Sequence, residues 1–338
     1  MQSKLSDKVK IIYSIFMELN VASFFAGVGG IDIGFRQAGI NVSYANEIDK
    51  RAAETYSLNN ATPLFVGDIR EVSIRNIPDN VNILTGGFPC QSFSLAGHRK
   101  GFEDERGALF FEIVRLARDL KNDGRQPLVI FLENVKNLLT HDYGKTYCRI
   151  KSELSSLGYS VINKVINTKE YGNIPQNRER LYIIAFLNAT HCESFRWPAE
   201  MRLTKRIEEI IDWESKEAEK KHYYDDRYKC HQALIDNVVS HNTVYQYRRK
   251  YVRENKSGVS PTLTANMGIG GHNVPIIIDN HNQIRKFTPS ECFALQGFPK
   301  SFLLPKNIPD SVLYKQAGNS VSVTVIKRIA YQIRKALS

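Results

Sequence analysis

The run Gly86-Gly87-Phe88-Pro89-Cys90-Gln91-Ser92-Phe93-Ser94 holds one cysteine directly after a proline, in a stretch rich in glycine and serine. A thiol kept for packing more often sits in an apolar run. Here a rigid residue precedes it, polar residues flank it and an apolar stretch leads into it. That pattern reads as a nucleophile presented at the end of a strand. A thiol attacks as the thiolate, so it needs a lowered pKa or a nearby base. On the local sequence alone, a buried and inert cysteine remains the alternative. The next segment, Leu95 to Arg106, contains Gly97, His98, Arg99, Lys100 and Gly101. It reads as a basic, glycine-hinged loop able to close over a substrate.

Other residue types could serve that thiol. Phe24-Phe25-Ala26-Gly27-Val28-Gly29-Gly30-Ile31-Asp32 is a glycine turn between a strand and a helix, where backbone N–H groups can approach a ligand. Asp32 stands where the dinucleotide fingerprint needs its third glycine, which disfavours a nicotinamide dehydrogenase. Glu47 lies twenty residues beyond Gly27, placed to accept hydrogen bonds from both hydroxyls of a ribose. Asp68, at the end of a third candidate strand, could read an adenine amino group. In order, these pieces argue for an adenosine-containing cofactor without a pyrophosphate. Glu133 follows the apolar run Leu128 to Leu132. It is either a surface helix cap or an acid that protonates a ring nitrogen, which calls for a raised pKa in a dry pocket. Arg178 and Arg180, at i and i+2, should share one face of a strand. They are either a surface pair or a fork for a carbonyl or phosphate.

The elements that must position these residues alternate. Strands are expected at Val21 to Phe25, Val42 to Ala45, Val81 to Thr85, Leu128 to Leu132, Val161 to Ile166 and Leu181 to Phe186. Helices are expected at Ile33 to Ala38, Lys50 to Leu58, Ala108 to Leu120 and around Tyr147 to Leu157. Such alternation predicts a mostly parallel α/β sheet with helices on both faces. After Trp197-Pro198 the pattern changes. Residues 201–230 mix eight basic with eight acidic residues, the mark of a solvated face. Residues 241–260 hold Arg248, Arg249, Lys250, Arg253 and Lys256 against Glu254 alone, interleaved with tyrosines. A glycine-rich stretch containing Asn266 and Gly270 follows.

The 338 residues allow one large domain and a smaller one. A net charge of +11 favours a polyanionic partner. Five scattered cysteines form no CxxC or Cys/His cluster, so neither a disulfide framework nor a metal site is expected, and a reducing cytoplasm fits. The apolar stretch Ile11 to Met17 ends at Glu18, too short for a membrane span, and reads as a leading helix.

The ordered set FAGVGG, GFPCQSFS, ENV, QNRER, RKFTPSECFALQGFP and QAGNSV resembles the bacterial cytosine-C5 DNA methyltransferases of restriction–modification systems across nearly the whole chain. The resemblance implies a Rossmann-like, S-adenosylmethionine-dependent methyltransferase domain over 1–196 and 315–338. A small, mostly β target-recognition domain and hinge would occupy 197–314. It implies that Cys90 attacks C6 of a flipped cytosine, Glu133 assists at N3, Arg178 holds the O2 side and Arg180 supports the site. Phe25, Gly27, Gly29, Gly30, Glu47, Asp68, Pro89, Leu109, Asn319 and Ser320 would contact S-adenosylmethionine, with Gly318 beside them. Arg99, Lys100, Arg248, Arg249, Arg253, Thr262, Leu263, Asn266 and Gly270 would face double-stranded DNA. A cytoplasmic monomer is expected, with no metal and with any cognate restriction endonuclease a separate chain. An RNA cytosine methyltransferase and a catalytically dead DNA-binding regulator are the rivals. Two departures stand out: Ser290 replaces the family's arginine, which puts a domain-stabilising contact in doubt, and Asn173 is an extra residue in the arginine motif.

Overall fold

The structure, a computed structural model, describes residues 18–88, 108–216, 218–248, 250–268 and 274–338. The expected leading helix, Pro89, Cys90, the segment 95–106 with Arg99 and Lys100, Arg249 and Gly270 lie outside the described residues.

The first part of the chain runs β1 (Asn20–Phe24), α1 (Gly30–Gln37), β2 (Asn41–Glu47), α2 (Lys50–Asn59), β3 (Leu64–Val66), β4 (Ile83–Gly86), α3 (Ala108–Asn122), β5 (Val129–Val135), α4 (Lys145–Ser156) and β6 (Ser160–Asn167). Next come α5 (Thr168–Tyr171), β7 (Gln176–Asn177), β8 (Glu179–Phe186) and α6 (Ala189–Ser194). Seven strands form one sheet in the order β3-β2-β1-β4-β5-β8-β6. The first five pair in parallel, and β8 runs antiparallel to both β5 and β6. The mostly parallel α/β sheet read from the alternation is therefore the one observed.

Apolar side chains cover both faces of this sheet. Phe110, Ile113 and Leu116 of α3 pack on one face with Leu84 and Leu132. On the other, Phe35 of α1 packs against Phe131 and Ile184. The C-terminal helix joins that second face through Ile326, Ile329 and Ile333. Each fully buried side chain of this size contributes about 1.5–3 kcal/mol.

Glu133 was expected just past the end of its strand. Instead β5 continues through it, with Glu133 opposite Tyr182 and Val135 opposite Arg180. The cause is the antiparallel neighbour. Pairing with β4 stops at Leu132, but β8 lies alongside β5 for three residues more.

The second part contains α7 (His231–Asn237), β9 (Val244–Tyr247), β10 (Val252–Asn255), β11 (Ser260–Pro261), β12 (Ile276–Ile278), β13 (Ile284–Lys286) and α8 (Pro289–Leu295). α9 (Asp310–Asn319) and α10 (Val323–Leu337) close the chain. A small antiparallel sheet has the order β10-β9-β12-β13, while β11 pairs with β7. A third apolar cluster joins the two parts, with Val28, Ala52 and Ile174 packed among Leu263, Phe293 and Tyr314. The boundary expected between residues 314 and 315 falls inside α9.

A buried ion pair holds the small part together. Arg285 is fully buried and forks onto Glu291, with Nη1–Oε2 and Nη2–Oε1 both at 2.8 Å. Thr288 caps α8 and forms a reciprocal box with Glu291. Ser290 is exposed, so the position that departs from the family pattern is not the one that grips Glu291. The inserted Asn173 adopts φ +51°. Its Oδ1 accepts from the amides of Thr204 and Lys205, fastening the segment that leads into the small part. Breaking the buried pair by Glu291→Gln is expected to cost about 3–5 kcal/mol, because it strands a buried cation. Urea denaturation of that variant, against an Arg285→Met/Glu291→Leu double variant that should lose far less, measures this.

Candidate active site

A cavity of about 590 Å³ opens at the C-terminal ends of the parallel strands, where open α/β sheets place their ligands. The turn after β1 supplies Phe25, Gly27 and Gly30 to its wall, and Glu47, Asp68 and Leu109 lie on the same wall. The C-terminal segment adds Gly318, Asn319 and Ser320, although almost three hundred residues separate it from the glycine turn in sequence. At the other end stand Glu133, Arg178 and Arg180. Residues expected to hold a cofactor and residues expected to act on a base thus face one space.

The turn is built to present its amides. Phe25 and Gly27 adopt left-handed φ of +54° and +56°. The Gly27 amide donates to Glu47 Oε2 at 2.7 Å, and the Asp49 amide to Oε1 at 2.8 Å. Both carboxylate oxygens are oriented this way and keep acceptor capacity toward the cavity. Burial raises the Glu47 carboxyl above its ordinary value, opposed by those two amides. Vicinal hydroxyls of a ribose fit such an acceptor, with Asp68 further along the wall for the base. The volume also lies in the range of ordinary ligand sites. Gly29 departs from expectation: it is absent from the cavity wall and faces the ring of Tyr56 instead.

The end of the cavity with Glu133 and Arg178 is buried. Glu133 is 8% exposed, and its Oε1 is buried with no hydrogen-bond partner. The Nε of Arg180 lies 3.2 Å from that oxygen without its N–H being directed at it. Burial pushes the Glu133 carboxyl up, while Arg180 and then Arg178 pull it back. An orphaned buried oxygen on a cavity wall calls for a partner that enters from outside.

The two arginines do not share a role. Arg178 is 2% exposed. Its Nη1 donates to the Leu263 carbonyl at 2.8 Å, and its Nη2 to the carbonyls of Gly318 and Ser320. Burial and the neighbouring Arg180 push its guanidinium down to about 9, still cationic at neutral pH. Both terminal nitrogens donate to the main chain, while Nε is buried with no hydrogen-bond partner and is the donor Arg178 has left for a group entering the cavity. Arg180 lies beside Glu133 and lines the same cavity. The approach of the main chain to Arg178 depends on Gly318, where a Cβ would lie 2.1 Å from the carbonyl carbon of Thr264.

Leu263 also departs from expectation. It is 1% exposed within the third apolar cluster, its amide donates to Gln176 Oε1 and its carbonyl accepts from Arg178. Its side chain is core, not a DNA contact. The Thr262 hydroxyl donates to the Asn177 carbonyl. Asn266, Arg248 and Arg253 are exposed, the arginines at the tip and on the second strand of the β9–β10 hairpin. One residue was missed by sequence reasoning. Asn134 Nδ2 donates to the Phe88 carbonyl at 3.0 Å, tying β5 to the chain entering Pro89-Cys90. Its place in the Glu133-Asn134-Val135 run was the available signal. Among the described residues, no group of three or more His, Cys, Asp or Glu stands close enough to hold a metal, and no helix is long and apolar enough to cross a membrane.

Sheet order, the lone antiparallel β8 and the cleft at the strand ends define an α/β methyltransferase fold of the S-adenosylmethionine-dependent class. The solved Entamoeba histolytica methyltransferase EhMeth shares this fold, with a TM-score of 0.72, 22% identity and coverage of 95% of this chain and 99% of that one. A Spodoptera frugiperda DNMT2 mutant superposes with a TM-score of 0.70 at 21% identity, over 93% and 99% of the two chains. The chain belongs to the C-5 cytosine-specific DNA methylase family, whose model matches residues 19–335. It is similar to the type II methyltransferase M.Bsp6I of Bacillus sp. (strain RFL6), at 51% identity over 94% of this chain and 99% of the relative. Similarity to M.HhaI of Haemophilus parahaemolyticus is 36% over 95% of each.

Arg178→Lys is expected to lose about 1.5–3 kcal/mol of stability, since a single ammonium cannot reproduce a forked set of charged hydrogen bonds. Arg180→Lys should lose less than about 1 kcal/mol, because Arg180 makes one main-chain bond and an undirected contact with Glu133. Parallel denaturation curves separate the two.

Proposed function

We propose that this methyltransferase moves a methyl group from S-adenosylmethionine to C5 of a cytosine flipped out of a specific site in double-stranded DNA, through transient attachment of Cys90 to C6. The observation that carries this reading is the orphaned Glu133 Oε1 beside Arg180, in the same cavity as Glu47 and the glycine turn. Glu47 would hold the ribose of the donor, and Asp68, Phe25 and Leu109 its base. When bound, the donor supplies an electrophilic sulfonium methyl group to carbon 5.

Carbon 5 of cytosine is a poor nucleophile until C6 is substituted. The Cys90 thiolate would form a bond to C6, and Glu133 would pass its proton to N3 as electrons shift onto the ring. The product of that addition is an enamine, nucleophilic at C5. After methylation a base takes the C5 proton, the C6–sulfur bond breaks and the thiolate departs. Glu133 then recovers its proton from N3. Arg180 would hold the O2 side of the ring. Arg178 would keep the walls in register through its main-chain bonds. Asn134, by holding Phe88, would set where the Pro89-Cys90 segment begins.

The target atom is unreachable inside a duplex, so the nucleotide must be extruded, at roughly a few kcal/mol of unstacking. Exposed Arg248, Lys250 and Arg253 on the β9–β10 hairpin support a phosphate-contacting role for that element. Arg99, Lys100 and Arg249 would add to it, and Asn266 and Gly270 would approach the groove. The type II names of the bacterial relatives support a role in restriction–modification, and we propose with it a cytoplasmic monomer acting apart from any cognate restriction endonuclease.

Cys90→Ser should bind duplex DNA yet transfer no methyl group from labelled S-adenosylmethionine, and full turnover would refute the nucleophile. Duplex containing 5-fluorocytosine should trap a covalent complex with the unaltered protein, visible as a shifted band under denaturing conditions. Glu133 acts in its protonated form and its carboxyl is raised by burial. Activity should therefore fall as pH rises through that raised value, and a Glu133→Gln variant should lose most activity along with that limb. Arg248→Ala and Arg253→Ala should each reduce the slope of log binding constant against log salt by about 0.9, read from DNA titrations at several salt concentrations.

A further inference from the structure

Asp32 takes no part in the chemistry above, yet it is a fully buried acid. Its Oδ1 accepts from Ser23 Oγ at 2.6 Å and its Oδ2 from the Tyr56 hydroxyl at 2.7 Å. Ser23 and Tyr56 are themselves fully buried. None of the three lines the cavity. They belong to β1, α1 and α2, the three elements that enclose the glycine turn and Glu47.

The geometry points to Asp32 as a positioning residue for the cofactor turn, acting through Tyr56 on Gly29 and through Ser23 on the strand that enters the turn. This rests on the reading of the cavity as the S-adenosylmethionine site. The Tyr56 ring lies directly behind the turn: a Cβ at residue 29 would stand 3.1 Å from two of its ring carbons. Gly29 sits at φ +86°, and its amide closes the turn on the Ala26 carbonyl at 2.8 Å. Two residues back, the Gly27 amide holds Glu47. A shift of the ring therefore passes through the turn to the carboxylate expected to bind the ribose. Ser23 fixes the other end, two residues before the left-handed Phe25. Nearby, Arg36 is engaged by Asn60 and Thr62, so its charge faces the network without a direct bond to Asp32. Burial and the Asp32 carboxylate hold the Tyr56 phenol above its ordinary value, which keeps it a donor.

A role in stability alone does not need this arrangement, since apolar residues fill such space at least as well as a buried carboxylate. What a carboxylate with two fixed donors adds is orientation. Asp32→Asn keeps the volume but pairs an amide with a hydroxyl in place of an acceptor. Expected are an increase of about tenfold in the S-adenosylmethionine KM, equal to 1.4 kcal/mol, and kcat and the DNA KM within about twofold of the unaltered enzyme. Titration calorimetry with S-adenosylhomocysteine should show the same loss of affinity without turnover. Tyr56→Phe should move both readouts the same way, and the double variant should be no weaker than the single ones. Unchanged S-adenosylhomocysteine affinity in a variant with native circular dichroism and cooperative melting would overturn the inference, as would a fall in kcat with KM unmoved. If Asp32→Asn does not fold, Tyr56→Phe, which removes one hydroxyl only, decides between the same two results. Failure of the unaltered protein to bind S-adenosylhomocysteine would overturn the reading of the cavity and this inference with it.

Discussion

The buried guanidinium of Arg178 is the constraint on which the rest of the site depends. A cation taken out of water is costly unless its donors find acceptors. Here Nη1 and Nη2 donate to main-chain carbonyls of Leu263, Gly318 and Ser320, while Nε stays buried without a partner. They come from two segments far from Arg178 in sequence and from each other. The charge can be buried only when the arginine motif, the threonine-leucine segment and the end of α9 meet. Gln176 adds to the junction by donating to the Leu295 carbonyl and accepting from the Leu263 amide. Folding of the small part and assembly of the cofactor wall are therefore coupled through one side chain.

That coupling explains the third apolar cluster. Val28 lies in the glycine turn, Ile174 precedes the arginine motif, and Leu263 and Phe293 come from the small part. Their burial brings the segments close enough for the carbonyls to reach Arg178. The hydrophobic contribution is non-directional, whereas the fork is directional. Together they give a cleft whose two walls are tied at its floor.

Much of this was legible in the sequence wherever the signal was local. The glycine turn, Glu47, Asp68 and Glu133 are contiguous with strands whose apolar runs are plain, and they stand on one cavity. What was not legible came from contacts distant in the chain. Spacing alone put Arg178 and Arg180 on one face, but the partners that separate their roles lie 85 and 142 residues away from Arg178. Leu263 looked like a DNA contact because its motif sits in a polar region, and only the fold buries it. Gly29 looked like a cofactor residue because its motif is contiguous, yet the ring behind it belongs to a helix one turn of fold later. The length of β5 was underestimated because nothing in its own residues marks where β8 will lie.

The separation of the two arginines also bears on the Glu133 carboxyl beside them. Were both guanidinium groups aimed at its carboxylate, their attraction would favour ionisation and defeat a proton donor. Arg178 instead directs its terminal nitrogens at main-chain carbonyls, and its pull on Glu133 is weaker than that of Arg180. Arg180 lies close, but its N–H is not aligned with Oε1. Burial is then the largest influence and raises the carboxyl. Tyr182, directly across the strand pair, completes the dry surround. The anchoring of Arg178 thus joins the walls of the cleft without directing its terminal nitrogens at the acid between them.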